Sequence, residues 1–493
     1  MGEDEVYDSK TMAPVLPFET IDIILEYACA ICDPPTLSSV ALASHLFRIY
    51  ANKARFFSLV PCRDIHIQRA TSRIHTLADI IRSGLSFPSL PGINRFAVSF
   101  SLSMTGNYEY VMPALQDGTL AYVLDQLFRE DLPYSISSKA ITGHSISLNI
   151  RRWFRNKLGT ENDYPTDDSN SSLDFRKMDC VLLQSLKNLI LIPTLRCVTL
   201  KSTINVPEDL FSGSRIQHLH LRNFAPDTHT VSQGDPEMSS PSLSIPLISL
   251  DIDDSVLLDG QGEIIEPDNI KISIISSGNL ACLTRFTIQI DRFGTLTWLP
   301  KILSLMPALQ ELALQTRFQH GELMFCGLVT LTRKIPDVIV ESANEHFSIP
   351  FSQLGKLRSI SITSSSGSTT NLTTRSISHD IPSHVNELAI IFNMFYTSMP
   401  SRDTIREVLD EMRLDVLDHH FVHPSFDAIE SLTVRLKVKI SGDFDHSFRA
   451  ALHPVDNSPW GEYMACQLQQ MRQKYGSRLK VFVTTEATEH VPL

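Results

Sequence analysis

The densest group of potential metal ligands in the sequence is His419-His420-Phe421-Val422-His423, with Asp415 and Asp418 just before it. Neutral imidazoles at this spacing could hold zinc, but a structural zinc site takes four ligands, and a segment that runs into Pro424 is where polar loop residues are ordinary. Cys29-Ala30-Ile31-Cys32 has the spacing of half a metal or redox site. It lacks a second pair and ends an apolar helical pattern, so buried free thiols are expected. Arg151-Arg152-Trp153-Phe154-Arg155-Asn156-Lys157 could face phosphate or an acidic partner. Beside the acidic stretch 161–168 it reads instead as a solvated helix end. No Gly-x-Ser-x-Gly, His-Glu-x-x-His, Gly-x-Gly-x-x-Gly or phosphate-loop pattern occurs. The expectation is a chain without catalysis, cofactor or metal.

The composition points the same way. Forty-three Lys and Arg against 55 Asp and Glu leave a net charge of −12, which disfavours non-specific nucleic-acid binding. Eight Cys in 493 residues make no disulfide framework, so the thiols are expected reduced. Neither a signal peptide nor a membrane span is expected, and the predicted location is cytoplasmic and/or nuclear. Hydrophobic residues at 43% suffice for a large core.

What would position a binding surface is a recurring pattern of large apolar residue, two others, apolar, one other, apolar. It occurs at Ile93–Val98, Leu195–Leu200, Ile216–Leu221, Leu247–Ile252, Leu283–Ile288, Leu309–Leu314, Leu357–Ile362, Val385–Ile390 and Ile429–Val434. The last two apolar positions of each copy share one face of a strand, and the first marks the turn into it. Helical stretches fall between copies, as at Leu296–Met306 and Thr404–Leu414. One strand and one crossover helix per unit is a leucine-rich-repeat-like scheme, irregular here because copies from Leu195 onward start 21 to 48 residues apart. The expected fold is α/β: an N-terminal helical unit followed by an irregular strand–helix solenoid. Expected boundaries are a tail at 1–13, the helical unit at 14–60, a connector at 61–92 and the solenoid at 93–493. Polar insertions are expected near 159–173, 225–246 and 363–380, where little can be buried to offset the entropy of ordering.

The residues beside the core positions of each strand should line an outward, concave sheet. They include Thr199, Lys201, His218, His220, Arg222, Ser249, Asp251, Asp253, Arg285, Thr287, Gln289, Glu311 and Gln315. The row alternates basic, acidic and basic, which fits either cross-strand pairing or recognition of a partner. From these strands we take His218, His220, Arg222, Asp251, Asp253, Arg285, Gln289, Glu311 and Gln315 as the candidate residues for binding a partner.

The helical unit opens at Leu16-Pro17-Phe18-Glu19, where Pro17 suits a first helical position and Glu19 complements the helix dipole. Ile21, Ile24, Leu25 and Ala28 follow at helical spacing. Asp33-Pro34-Pro35 ends that helix, and Thr36 is expected to cap the next, which carries Leu37, Val40 and Ala41. This stretch resembles an F-box of the fungal type. The match rests on Leu16, Pro17, Glu19, Ile21, Ile24 and Leu25, on Asp33-Pro34 through Leu37, on Leu42-Ala43-Ser44, and on the exit Ala54-Arg55-Phe56-Phe57. Thr20, Ala28 and Phe47 depart from the family's usual residues. The resemblance implies docking on the Skp adaptor, and through it a cullin, by Leu16, Pro17, Glu19, Ile21, Ile24, Leu25, Leu37 and Leu42. The repeats would then hold an unknown protein substrate for ubiquitination, with no nucleic-acid or membrane partner. A leucine-rich-repeat-like scaffold with no ubiquitin role is the alternative.

Overall fold

A computed structural model describes residues 18–43, 45–86, 92–106, 115–128, 144–152, 173–207, 209–226, 246–257, 280–290, 293–316, 349, 351–364, 377, 381, 383–396, 402–442 and 459–489. The tail 1–13 and Trp153–Lys157 lie outside these residues, as do most of the expected insertions at 159–173, 225–246 and 363–380.

The strand order is that of the chain. β1 (Ser58–His66), β2 (Ser99–Gly106), β3 (His144–Arg152), β5 (Leu195–Val206), β6 (His218–Pro226), β7 (Ser249–Asp253), β8 (Arg285–Ile290), β9 (Glu311–Thr316), β10 (Ser359–Ser364), β11 (Glu387–Tyr396), β12 (Ser431–Gly442) and β13 (Leu479–Glu489) each pair with the next. A two-residue strand, β4 (Leu173–Asp174), pairs with β5 off this path, giving a 13-stranded sheet among the described residues. Every pairing is parallel. A parallel sheet that always grows in one direction sends each crossover over the same face, so one face is packed and the other is left open.

The register turns the sequence pattern into two apolar ladders. Leu59, Phe100, Ile146, Val198, Leu219, Leu250, Phe286, Leu312, Ile360, Leu388 and Leu432 stand side by side across neighbouring strands. Leu102, Leu148, Leu200, Leu221, Ile252, Ile288, Leu314, Ile362, Ile390 and Val434 form the second row. All of these are buried, and each contributes ~1.5–3 kcal/mol relative to exposure. Helices cover them with one stripe each. α4 (Ile67–Ser86) buries Ile74, Leu77, Ala78 and Ile81; α5 (Thr119–Leu127) buries Leu120, Val123, Leu124 and Leu127; α6 (Cys180–Ile190) buries Leu182, Leu186 and Leu189. The expected helices at 296–306 and 404–414 are present as α7 (Phe293–Ser304) and α8 (Arg402–Glu411), the latter followed by α9 (Leu414–Phe421). α10 (Pro459–Gln467) and α11 (Gln469–Tyr475) precede the last strand.

Three readings are corrected. Ile93–Val98 is not a strand: Ile93–Arg95 is a 3-10 turn, Ile93 and Phe96 are buried from it, and the ladder positions are Phe100 and Leu102. The stretch 61–92 is not a connector, because β1 and α4 occupy 58–86 and make the sheet's first strand and crossover. The second helix is capped by Asp33, not Thr36. Asp33 Oδ1 accepts from Thr36 N at 2.9 Å, and Pro34 and Pro35 sit in the first turn, where a missing N–H costs nothing.

The N-terminal unit is three helices, α1 (Phe18–Ile31), α2 (Pro34–Ala43) and α3 (His45–Phe56). Leu37, Ala41 and Ala51 form its own small buried cluster, separate from the main core. α3 leads within two residues into β1, and Phe56 packs against the main core.

Candidate functional site: the open sheet face and the N-terminal helices

On the open face, His220, Asp251, Arg222, Gln289 and Gln315 from four successive strands form one polar network. Asp251 lies at its centre. Its Oδ2 is 3.1 Å from His220 Nδ1, and its Oδ1 accepts from the Arg222 guanidinium at 2.5 Å. Arg222 also donates to Gln289 Oε1 at 2.5 Å and to Gln315 Oε1 at 3.4 Å. Arg222 and Asp251 are only 17% and 21% exposed, so their charges gain more from pairing than surface ions do. Next to this network Arg285 and Glu311, both well exposed, pair at 3.0 Å.

Two histidines respond in opposite directions. The hydrogen bond to Asp251, then one to the Cys197 thiol, raises His220 from 6.5 to about 9. Burial, then the positive His220 and Arg285, hold His218 below its ordinary value. Cys197, His220 and Asp251 thus stand in the order of a nucleophile, a base and its orienting carboxylate. Asp251 also pairs with the Arg222 guanidinium, so this row suits charge pairing between neighbouring strands.

The sequence-predicted row is therefore brought together, with one correction. Asp253 stands in register with Gln289, but it does not point outward to a partner: it is buried. Asn223 takes a left-handed conformation (φ 49°), and its N–H donates to Asp253 Oδ2 at 2.5 Å. Ser255, in the 3-10 turn that follows β7, hydrogen-bonds the other carboxylate oxygen. The side chain closes a turn between two strands, a tertiary role that strand alternation does not reveal.

Further along the open face stands a group that the sequence pattern did not single out. β12 alternates strictly, with Leu432, Val434, Leu436, Val438 and Ile440 buried and Arg435, Lys437 and Lys439 between them half-buried on the other face. The Lys439 ammonium lies 5.4 Å from the Phe395 ring on β11, and the Arg435 guanidinium lies 5.3 Å from the Phe482 ring on β13. Two-residue alternation over Leu432–Ile440 was the available signal; the repeat pattern stops at Val434.

The N-terminal helices present an apolar surface. Ile23, Ile24, Tyr27 and Ile31 of α1 are 68%, 51%, 70% and 70% exposed, and Leu42 at the end of α2 is 80% exposed. Ile23, Tyr27 and Ile31 are spaced at i, i+4 and i+8 and share one helix face. Of the residues the sequence suggests for a partner, Ile24 and Leu42 lie outward, whereas Leu25 and Leu37 are buried within the unit. Leu16 and Pro17 lie outside the described residues, and Glu19 and Ile21 fall within α1.

The other candidates are occupied locally. His420 Nε2 is 2.9 Å from Ile377 O, and His423 Nδ1 is 2.9 Å from Ser425 Oγ. Cys32 is a half-buried free thiol. Among the described residues no three His, Cys, Asp or Glu side chains are grouped to hold a metal ion. Among the same residues no helix is long and apolar enough to cross a membrane. No protein-family model matches the chain, and no curated protein matches it.

Proposed function

We propose that this chain is the substrate-recognition subunit of a Skp–cullin–F-box ubiquitin ligase. The N-terminal helices dock the Skp adaptor, and the open sheet face holds a protein substrate. The observation that carries the reading is the row Ile23, Ile24, Tyr27 and Ile31 with Leu42, exposed on a unit whose described buried side chains include Leu25, Leu37, Ala41 and Ala51. Large apolar side chains left in water on one helix face favour a covering partner, in the manner of helix-in-groove recognition. The F-box resemblance of the same stretch, which rests in part on Ile24 and Leu42, supplies the partner's identity. Repeated units that expose one continuous sheet face suit the recognition of an extended surface. The chain itself performs no catalysis in this reading.

The test is co-expression with the Skp adaptor followed by gel filtration of wild type and of Tyr27→Asp and Leu42→Asp. Both positions are exposed, so the variants keep the fold while placing a charge in an apolar interface. Co-elution of wild type that is lost in the variants supports the proposal. A folded wild type that elutes alone removes the ligase reading and leaves a repeat scaffold.

A further inference from the structure

The first and last strands of the sheet are finished differently. β1, first in the strand order, pairs with β2 through two register shifts, one between Leu59 and Cys62 and one between Cys62 and Ile65, and Pro61 falls within the first. A break in register and a proline, which cannot donate to a ladder, are ordinary means of blunting an edge strand. β13, last in the order, has neither. It keeps an unbroken register with β12 from Leu479 to Glu489 and contains no proline. Leu479, Val481, Val483, Thr485 and Ala487 stand in register with buried apolar residues of β12, and none of the five is charged. An inward-pointing charge, another common guard against edge pairing, is therefore missing from this stretch.

The apolar ladders are also left half-covered on β13. Leu432 and Val434 of β12 are fully buried, whereas Leu479 and Val481 beside them pack on the main core but stay half-buried. Among the described residues no strand pairs with the outer side of β13. Backbone groups that face outward from a long regular strand, beside a half-covered apolar row, favour the addition of another strand.

We propose that β13 pairs with β13 of a second copy of this chain, antiparallel about a two-fold axis at Val483. The order of residues along the strand selects a copy of itself as the partner. A two-fold interface sets each residue against its mirror position. Directly opposed residues share a face of the sheet, so core positions meet core positions only when the axis passes through a residue. With the axis at Val483, Leu479 opposes Ala487, Val481 opposes Thr485 and Val483 opposes its own copy, and the apolar rows continue from one chain into the next. On the open side Phe482 opposes Thr484 and Lys480 opposes Glu486, each pair occurring twice by symmetry. Moving the axis one residue either way sets Lys480 against Thr484 or Thr488 instead. One strand pair is smaller than a standard interface, so the dimer is expected to be reversible and concentration-dependent. This proposal does not rest on adaptor docking, because β1 and not β13 is the strand that follows the N-terminal helices.

The test is gel filtration with light scattering on the full purified chain, loaded at concentrations up to on the order of 100 µM. Wild type is expected to pass from monomer to dimer as the load rises. Lys480→Glu and Glu486→Lys each set like charges against one another at both ends of the pairing, and each is expected to weaken the dimer by about tenfold or more. Mixing the two single variants restores opposite charges at both ends, so the mixture is expected to dimerise as wild type does. The double variant Lys480→Glu, Glu486→Lys restores them within one chain and is expected to dimerise again, a rescue that a loss of folding would not allow. A wild type that stays monomeric at the highest load would overturn the proposal, as would single variants that dimerise like wild type, or a mixture and a double variant that both stay monomeric. A dimer that Tyr27→Asp abolishes and the two β13 variants leave intact would overturn it too, and would assign self-association to α1. A monomeric wild type that binds the adaptor loses this edge contact and keeps the ligase reading.

Discussion

Asp251→Asn replaces the carboxylate at the centre of the open-face network with a neutral side chain of nearly the same shape. Asp251 accepts from both His220 and Arg222, so the change removes two charge-assisted hydrogen bonds at once. The histidine part depends on pH. Moving His220 from 6.5 to about 9 would correspond to about 3 kcal/mol if fully realised. A side chain 34% exposed is screened by water, so we assign it ~1 kcal/mol. Its pKa is raised in the folded chain, so this contribution is complete below 6.5 and is lost as pH rises through about 9. The Arg222 part does not titrate in this range. A hydrogen bond between charged groups contributes ~1.5–3 kcal/mol, and sharing one carboxylate on a partly wet face favours the low end or less, ~1 kcal/mol. The variant should therefore cost ~2 kcal/mol at pH 6 and ~1 kcal/mol at pH 10. The assays are denaturant unfolding at both pH values and an NMR titration of the His220 ring, assigned with His220→Gln. The His220 midpoint should fall from about 9 toward 6.5 in the variant. A wild-type midpoint near 6.5, or a stability loss in Asp251→Asn that is the same at both pH values, would refute the reasoning.

Leu312→Asp and Gln315→Asp should separate the two faces of β9. Leu312 is 1% exposed in the first ladder, so a charge there costs several kcal/mol and lowers the melting temperature sharply, whereas Gln315 faces Arg222 and its Asp variant should melt within ~0.5 kcal/mol of wild type. Equal thermal shifts would contradict the strand facing. Tyr475→Phe should destabilise the C-terminal part by ~1–3 kcal/mol, because the Tyr475 hydroxyl donates to Phe421 O at 2.8 Å and to Phe426 O at 3.2 Å within the core. Hydrogen exchange read at residues 414–442 checks it, and unchanged protection there would count against it.

The ladders were legible in the sequence because a buried sheet face demands an apolar residue at the same two strand positions in every unit. Leu312 and Leu314, or Ile360 and Ile362, announce themselves by that spacing alone. Ile93–Val98 shows the same spacing for a different reason: a 3-10 turn also buries residues three apart, as Ile93 and Phe96 are here. The stretch 61–92 reads as a connector because β1 carries no copy of the repeat pattern. The self-pairing of Arg222 and Asp251 could be expected from alternating charge on adjacent strands. The inward turn of Asp253 could not, since it depends on Asn223 and Ser255 coming together from separate strands and turns. In α1 the stripe Ile21, Ile24, Leu25 and Ala28 was read as one face, while the exposed row runs through Ile23, Tyr27 and Ile31, because a helix apolar on two sides does not say in sequence which side its neighbours cover.

Hydrogen exchange of the full chain with and without the purified Skp adaptor tests the central proposal most directly. Our account predicts slowed exchange confined to 18–43, where Ile23, Ile24, Tyr27, Ile31 and Leu42 would leave water, with strands β6 to β12 unchanged. Unaltered exchange across α1 and α2 in the presence of saturating adaptor, or protection only on the sheet face, would contradict it.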